Sequence, residues 1–333
     1  MVLKSGRTRL GEDVMFLEEV LDSIREADRS GPLSDKGGDV LDGLSGSKTV
    51  GALQRLTALF ATDPEACQEA CYVEIGVFQG LTLLSVALNF PDFPCFGIDN
   101  FSILDPEGEN LGVVRARTAK LGVNNATLIN QDFEAALESL DGRLGGRKIG
   151  VYFVDGAHDY RSQFIALMLA QPYLHDNAVV IIDDANYAFV RQSTRDFLAA
   201  HADYKMAFEA YSPDHPANMD PETLKKWESG WLNGVNILVR DAEGRLPQML
   251  PPTELDRTLY VNDWLTHRHQ LAELAPEALN LAQAVCHNDG AREADCKDKL
   301  LKRFQQRRKV YDLRNPDRNT YSAGLTEGRF NKL

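Results

Sequence analysis

Two short apolar runs decide the fold of this chain. The first is Ile149-Gly-Val-Tyr-Phe-Val154, which leads into Asp155-Gly-Ala-His158, and the second is Ala178-Val-Val-Ile-Ile182, which leads into Asp183-Asp184. Continuous β-branched runs with a helix-length segment between them predict neighbouring parallel strands that are buried on both faces. Because ligands of such sheets bind beyond the carboxyl ends of the strands, we expect both acidic segments at one pocket.

The acidic residues after the two runs predict a metal site. Three carboxylates as close together as Asp155, Asp183 and Asp184 require a compensating cation, and a hard divalent ion such as Mg²⁺ prefers oxygen ligands. The alternative is that each Asp only caps the helix that follows it, which explains one Asp well but three converging ones less well. His158 follows Asp155 by three residues. It is therefore a candidate catalytic base at the same pocket.

The composition is that of an ordinary globular protein. The chain has 333 residues, 44% of them apolar and 26% charged, and a net charge of −13. Such an acidic chain is not expected to bind nucleic acid or anionic membranes, which both require a positive field. The five cysteines lack paired C-x-x-C spacing, so neither a disulfide framework nor a zinc site is predicted. With no signal-like or membrane-spanning apolar stretch, we expect a cytoplasmic protein.

A strand, a glycine turn and a helix follow one another between residues 72 and 89. The turn is Gly76-Val-Phe-Gln-Gly80, and Phe78 stands where the dinucleotide fingerprint G-x-G-x-x-G has its middle glycine. A pyrophosphate held against the backbone is therefore disfavoured. The next predicted strand, 95–98, ends in Asp99, about twenty residues after the turn, from where a carboxylate can accept hydrogen bonds from ribose hydroxyls.

Asp132 and Phe133 follow a third predicted strand, 127–129, and have two compatible interpretations. An acid and an aromatic ring at this edge could bind and cover an adenine ring. Asp132 could equally be the N-cap of a helix over 133–140.

The rest of the chain predicts helices at both ends and two more strands. Helices are expected near 14–24, 48–60, 189–201, 255–275, 276–285 and 297–308, and strands at 204–211 and 234–239. The segment between the last two strands contains Trp227 and Trp231 and could fold over the site. A Pro-rich break at 246–252 ends the main domain. The basic helix at 297–308 could bind an anionic partner, although a solvated helix face is the more usual explanation of such a run of charges.

Several of these residues resemble the motifs of a known family. The stretch Glu74-Ile-Gly-Val-Phe-Gln-Gly80, with Asp99 and Asp132, resembles the nucleotide-site motifs of class I S-adenosylmethionine-dependent methyltransferases. The segment 155–158 with the Asp pair 183–184 is similar to the metal-dependent O-methyltransferases. It is most similar to the macrocin O-methyltransferase type, which modifies macrolide and aminocoumarin sugars.

The resemblance implies a fold and a division into three parts. The fold is α/β, a doubly wound, mostly parallel seven-stranded sheet of the Rossmann-like methyltransferase type with extra N- and C-terminal helices. The parts are an N-terminal helical segment at 1–62, an S-adenosylmethionine-binding methyltransferase domain at 63–245 and a C-terminal helical extension at 253–333.

The resemblance also implies the roles of individual residues. The cofactor would be contacted by Glu74, Gly76 and Gly80 at its methionine part, Asp99 at its ribose, Asp132 with Phe133 at its adenine, and Asp155. The metal ligands would be Asp155, Asp183 and Asp184, and His158 would be the base. In the catechol and caffeoyl-CoA branches the base is a Lys, so the His makes a flat phenolic acceptor less favoured.

The chemistry of methyl transfer fits these residues. Attack on a sulfonium methyl group requires an oxygen nucleophile, which a divalent ion can orient and acidify while a base removes its proton. We therefore expect an O-methyltransferase that uses S-adenosylmethionine and Mg²⁺, acts on a hydroxyl of a sugar-like or polyol natural product and forms a homo-oligomer. The alternatives are a catechol-type phenol methyltransferase, a hydroxylase-like enzyme on the same fold and a non-catalytic scaffold.

Overall fold

The computed structural model describes residues 9–102, 104–105, 107–216, 219–253, 263–314 and 328–333 of the chain. These residues form an eight-stranded sheet in the order β3-β2-β1-β4-β5-β7-β6-β8. The strands β1 to β5 are parallel to one another, and β7, β6 and β8 continue the sheet with antiparallel pairing. The strands are β1 (Ala70–Ile75), β2 (Cys95–Ile98), β3 (Ala126–Ile129), β4 (Lys148–Val154), β5 (Leu174–Asp183), β6 (Tyr204–Ala210), β7 (Val235–Arg240) and β8 (Arg329–Phe330).

Helices cover both faces of the sheet, as the doubly wound fold requires. Against one face lie α1, α2 and α4, and against the other lie α8 and α9. The helices are α1 (Arg9–Ser30), α2 (Ser47–Ala61), α3 (Ala66–Glu69), α4 (Leu81–Asn89), α5 (Asn110–Leu121), α6 (Phe133–Glu138), α7 (Asp141–Leu144), α8 (Tyr160–Ala170), α9 (Ala188–Ala200), α10 (Pro221–Glu228), α11 (Asp263–Cys286) and α12 (Gly290–Arg314).

The two central strands carry the core. Successive side chains of β4 alternate between the two faces of the sheet, so Phe153 packs in one hydrophobic cluster and Val154 in the other. Ile181 and Ile182 of β5 divide in the same way. A strand buried on both faces needs an unbroken apolar run. This requirement explains why the two runs identified in the sequence form the centre of the sheet.

The sheet has one strand more than the seven that were predicted. The additional strand β8 is two residues long and pairs with β6 at the edge of the sheet. The Phe330 ring packs against Phe208 with 4.6 Å between ring centroids, and the Asn331 side chain donates a hydrogen bond to the carbonyl of Met206. The segment 253–333 therefore contains helices and also returns to the main sheet. Two residues carry too little pattern to predict a strand.

The C-terminal helices also differ from expectation. A break was predicted at Pro276, yet α11 continues through it. Proline lacks the N–H group of the helix ladder and disfavours a helix interior. The helix α11 pairs with α12, and an ion pair between Glu277 and Arg303 lies next to the proline. This pairing supports the helix on both sides of Pro276. Residues 255–262 of the predicted helix lie outside the described residues.

None of the helices in the described part of the chain combines the length and the apolar character needed to cross a membrane.

Candidate active site

The glycine turn lies directly against the end of β4. Gly76 has φ +85°, and a Cβ atom added to it would lie 1.8 Å from the carbonyl oxygen of Asp155. Its N–H group donates a hydrogen bond of 2.9 Å to the carbonyl of Ile98. Gly80, also at φ +85°, is the N-cap of α4. Glycine at position 76 therefore allows the turn and the first acidic residue to touch.

Asp99 stabilises the glycine turn. Its Oδ2 accepts hydrogen bonds from the backbone N–H groups of Val77 and Phe78, both at 2.9 Å, and its Oδ1 accepts one of 2.7 Å from Phe101. Phe78 has φ +48°, a conformation that side-chain-bearing residues rarely adopt. Charge-assisted hydrogen bonds from this part of the turn hold it in place. The predicted contact of Asp99 with a ribose stays a prediction, since the carboxylate has further lone pairs.

Glu74 is a buried acid beneath the turn. Its Oε2 accepts a hydrogen bond of 2.6 Å from the Tyr72 hydroxyl, whereas its Oε1 has no hydrogen-bond partner among the described residues. Burial raises the pKa of Glu74 to about 8. Buried polar atoms nearly always have partners, so this oxygen marks a place where a ligand group would fit. The predicted role of Glu74 at the cofactor is compatible with this geometry.

Asp132 is the N-cap of α6, which confirms one of its two interpretations. Its carboxylate accepts hydrogen bonds from the N–H groups of Glu134 at 3.0 Å and Ala135 at 3.4 Å. Phe133, the first residue of the helix, is half-buried. The contact of this pair with an adenine ring stays a prediction.

The structure brings three potential metal ligands together at the carboxyl ends of β4 and β5. One ligand atom each from Asp155, His158 and Asp184 lies within 4.8 Å of the others. His158 Nε2 lies 2.6 Å from Asp184 Oδ2, and Asn233 Nδ2 donates a hydrogen bond of 2.5 Å to Asp184 Oδ1. Asp184 has φ +57°, a backbone conformation that turns the chain sharply after β5. We call Asp155, His158 and Asp184 the acidic group.

Like charges perturb the carboxyls of this region. Burial, together with the charges of Asp183 and Asp184, raises the pKa of Asp155 well above its usual value. Burial and the charge of Asp184 do the same to the pKa of Asp183. Burial also opposes ionisation of Asp184, but the adjacent His158 lowers the pKa of Asp184 below its usual value. Carboxylates held this close fit a divalent cation, which would remove their mutual repulsion.

The three predicted carboxylates thus lie near one another, but they are not equivalent. Asp155 and Asp184 belong to the acidic group, whereas Asp183, buried at the end of β5, lies outside it. The role of Asp183 as a metal ligand stays a prediction. His158, which the sequence predicts to be the base, is the third member of the acidic group.

Three further residues of the site were not identified from the sequence. Tyr187 stacks on His158, with ring centroids 4.7 Å apart, and its hydroxyl lies 2.9 Å from His215 Nε2. His215 belongs to the segment between β6 and β7, which was expected to fold over the site. Asn233 precedes β7, and only the antiparallel pairing of β7 with β5 brings it to Asp184. No local motif marks these residues.

A buried arginine fixes the loop that carries Asp184. Arg191 is 1% exposed, and its guanidinium donates hydrogen bonds to the carbonyls of Ala185, at 2.9 Å, and Asn186. It also donates to the carbonyl of Pro252 at 2.9 Å. Three carbonyl acceptors satisfy much of this buried cation. The chain after Asp184 is therefore held in one conformation.

Comparison with solved structures found similar chains of low sequence identity. The O-methyltransferase TomG from Streptomyces achromogenes, involved in tomaymycin synthesis and solved with SAM, is 19% identical, with 69% of this chain and 96% of that chain covered and a TM-score of 0.45. An O-methyltransferase from Bacillus cereus in complex with SAH is 13% identical, with coverages of 72% and 94% and a TM-score of 0.42. The SAH-bound methyltransferase PaMTH1 from Podospora anserina is 13% identical, with coverages of 72% and 99% and a TM-score of 0.41.

Comparison of the sequence with families and curated proteins gave one match. No curated protein is similar enough in sequence to be matched. Residues 73–185, which run from β1 to the loop after β5, match the family model described as a methyltransferase domain. This segment contains the glycine turn and all three ligands of the acidic group. The match covers about a third of the chain, and it agrees with the enzyme class predicted from the sequence.

Proposed function

We propose that the protein is a metal-dependent O-methyltransferase that transfers the methyl group of S-adenosylmethionine to a hydroxyl of a sugar-like or polyol compound. One observation carries this proposal. The acidic group of Asp155, His158 and Asp184 lies beside the glycine turn of a methyltransferase domain. A cofactor at the turn and an acceptor at the acidic group would be neighbours.

The residues around the turn fit S-adenosylmethionine. The cofactor would supply the methyl group and carries two positive charges, on its sulfonium and its amino group. The unpartnered Oε1 of Glu74 is an acceptor for such an amino group, and the charge of that group would favour the ionised carboxylate against the effect of burial. Gly76 leaves the backbone of the turn uncovered, and Asp99 holds that backbone in place. The adenine would lie toward Asp132 and Phe133.

Asp155 and Asp184 would hold the divalent cation, with Asp183 as a further ligand. When bound, the cation would orient the acceptor oxygens and lower the pKa of a hydroxyl. The carboxylates of the chain are placed for this at the end of the two central strands, where Arg191 and Asn233 fix the loop and the side chain of Asp184.

His158 is proposed to accept the proton of the reacting hydroxyl. Its Nε2 faces Asp184, which orients the imidazole and stabilises its protonated form. Tyr187, stacked on the ring, restricts its rotation. A His rather than a Lys at this position, together with the resemblance to sugar-modifying enzymes, favours an aliphatic hydroxyl over a phenol.

The test is methyl transfer to a panel of glycosides and catechols. Purified protein with S-adenosylmethionine and Mg²⁺ is expected to add the mass of one CH₂ to a glycoside, to form S-adenosylhomocysteine, and to stop on addition of EDTA. The variant Asp184→Ala serves as the inactive control. Methylation of catechols alone would favour the phenol alternative, and addition of one oxygen would favour the hydroxylase alternative. Full activity in EDTA would contradict metal dependence.

A further inference from the structure

A cavity of about 600 Å³ is lined in part by residues that follow the glycine turn or adjoin site residues in the chain. It is enclosed by the loop over residues 32–47 and by α2, α4 and α10. Pro216 and Leu232, which line it, are the chain neighbours of His215 and Asn233 in the site, and Leu81 begins α4 directly after the glycine turn. None of the lining residues belongs to the turn or to the acidic group. The cavity is thus separate from both, and Leu81, Pro216 and Leu232 connect it to them through the chain.

The walls of the cavity are fixed by hydrogen bonds. Gln54 of α2 is 1% exposed, and its Oε1 accepts a hydrogen bond of 2.7 Å from the N–H group of Leu33. The Ser34 hydroxyl donates a hydrogen bond of 2.5 Å to the side-chain carbonyl of Asn89 in α4. These contacts tie the loop to both helices. A preformed cavity binds a ligand without the entropic cost of ordering a loop.

The lining combines aliphatic and hydroxyl groups. Leu41, Leu224 and Leu232 contribute apolar surface, and Ser45 and Ser47 contribute hydroxyls. A sugar or a linked ring presents C–H faces for the leucines and hydroxyls for the serines. A lining that combines apolar surface with polar groups is found in small-molecule sites.

The charges at the rim are predominantly negative. Asp35, Asp42 and Glu228 line the cavity, and the one basic lining residue is Lys36, whose amine donates a hydrogen bond to the carbonyl of Leu88. Among the described lining residues, three acids and one base give a net charge of −2, on a chain whose own net charge is −13. Phosphorylated and other anionic ligands are repelled from such a mouth, whereas neutral and cationic ones are not.

The reacting ring of the acceptor would lie at the acidic group and would not occupy the cavity. The volume of the cavity is therefore available to the rest of the acceptor. A cavity of about 600 Å³ lies within the ~300–1,000 Å³ of sites for drug-sized ligands. Resting on the function proposed above, we propose that the cavity binds the non-reacting part of the acceptor, and that the acceptor is a neutral or amine-bearing glycoside of more than one ring.

Three matched probes test the cavity: phenyl β-glucoside, its 2-amino counterpart and its 6-phosphate. Binding of each to the whole protein is measured by calorimetry in the presence of S-adenosylhomocysteine and Mg²⁺. The glucoside and the amino glucoside are expected to bind, and the phosphate to bind about tenfold more weakly, since each of the two net charges contributes a factor of about three.

Two variants locate this binding. The bulky side chain of Ser45→Trp is expected to fill the cavity and to weaken binding of the glucoside at least about tenfold. Leu33→Trp is its control, because Leu33 lies in the same loop, is 49% exposed and does not line the cavity. The double variant Asp42→Asn with Glu228→Gln is expected to strengthen binding of the phosphate probe and of neither other probe. Glu222→Gln, on an exposed acid of α10 outside the lining, is the charge control and is expected to change nothing.

The outcomes separate the cavity from the proposed function. Equal binding of the glucoside to wild type and Ser45→Trp would overturn the cavity assignment, as would absence of probe binding to a wild type that binds S-adenosylhomocysteine. A phosphate that binds wild type as tightly as the glucoside would overturn the charge selection. Failure of the protein to bind S-adenosylhomocysteine, measured before any probe is added, would instead count against the proposed methyltransferase function.

Discussion

Acidic residues follow strand β2 and strands β4 and β5 alike, but the groups that surround them differ. Asp99, after β2, accepts three backbone hydrogen bonds and holds the glycine turn. Asp155 and Asp184, after β4 and β5, face each other and a histidine at the surface of the site. The first carboxylate is matched with donors from the chain itself. The second pair is crowded with like charge and leaves room for an external cation.

The difference teaches what an acid at a strand end can signify. The local pattern, an Asp directly after an apolar strand, is the same in each case. The neighbouring backbone decides the outcome, because N–H groups that point at the carboxylate stabilise its charge, whereas further carboxylates destabilise it. Function is therefore to be sought where acids crowd one another.

The largest effect is expected from the replacement of His158. This replacement distinguishes a catalytic base from a metal ligand. His158→Ala is expected to lower the turnover rate about 10²–10⁴-fold, the usual contribution of a positioned base, with cofactor and Mg²⁺ binding retained. Tyr187→Phe, which keeps the stacked ring, is the control. Initial rates and calorimetry measure the two properties separately. A collapse of Mg²⁺ affinity would show that His158 is a ligand instead, and near-normal turnover would exclude both roles.

Glu74 extends the comparison to an acid that is buried without a cation. Its pKa is raised from 4.5 to about 8, so the folded protein keeps the proton in a range where the unfolded chain has lost it. The stability contributed by the protonated form is complete below about pH 4.5 and lost as the pH rises through about 8. The expected loss is on the order of a few kcal/mol.

Urea denaturation of wild type and Glu74→Gln, at about pH 6 and about pH 9, measures this effect. The variant is expected to lose less stability than wild type between the two conditions, because glutamine does not ionise. The difference between the two proteins isolates Glu74 from the other titrating groups. Equal pH dependence of both would show that Glu74 is already ionised in the folded protein.

A smaller effect is expected at Asp99, whose partners are all within the chain. Asp99→Asn replaces one acceptor oxygen by a donor that faces N–H groups, and it is expected to lower the free energy of unfolding by about 1–3 kcal/mol. Asp132→Asn is the matched control, since Asn caps a helix about as well as Asp. Both are measured by denaturant unfolding. If Asp99→Asn kept full stability but lost cofactor binding, the carboxylate would serve the ligand and not the turn.

The smallest effect is expected from removal of the C-terminal hairpin of α11 and α12. This change tests whether the acids after β2, β4 and β5 depend on any segment outside the methyltransferase domain. Its helices pair with each other. Replacing residues 263–314 by a Gly/Ser linker, with β8 retained, should change cofactor affinity by less than about tenfold, ~1.4 kcal/mol. Calorimetry on the shortened protein measures this. We expect acceptor selection or dimerisation to change instead, and a folded variant without cofactor binding would contradict this.

Much of the fold could be predicted because central strands are continuous apolar runs. The strands β2, β4 and β7 begin and end within about a residue of the prediction, as the boundaries of such runs are sharp. The strand β8 could not be predicted, since its two residues are held by partners more than a hundred positions away in the chain. The continuity of α11 through Pro276 likewise depends on pairing with α12 and not on local preference.

The site divides in the same way. The convergence of Asp155 and Asp184 follows from two parallel strands with the same polarity, which the sequence shows. The hydrogen bond from Asn233 and the stacking of Tyr187 depend on the register of β7 and the path of the loop after β5. The use of Asp99 by the turn depends on backbone directions that no residue pattern encodes. Local sequence predicts which elements reach the site, and packing decides which atoms meet.

The central claim is that Asp155 and Asp184 form a binding site for a divalent cation. The direct measurement is calorimetric titration of Mg²⁺ into metal-stripped wild type, Asp99→Asn and the double variant Asp155→Asn with Asp184→Asn. We predict saturable binding to one site in wild type and in Asp99→Asn, and a loss of affinity of at least about 100-fold in the double variant. Absence of saturable binding in wild type, or equal affinity in the folded double variant, would contradict the claim.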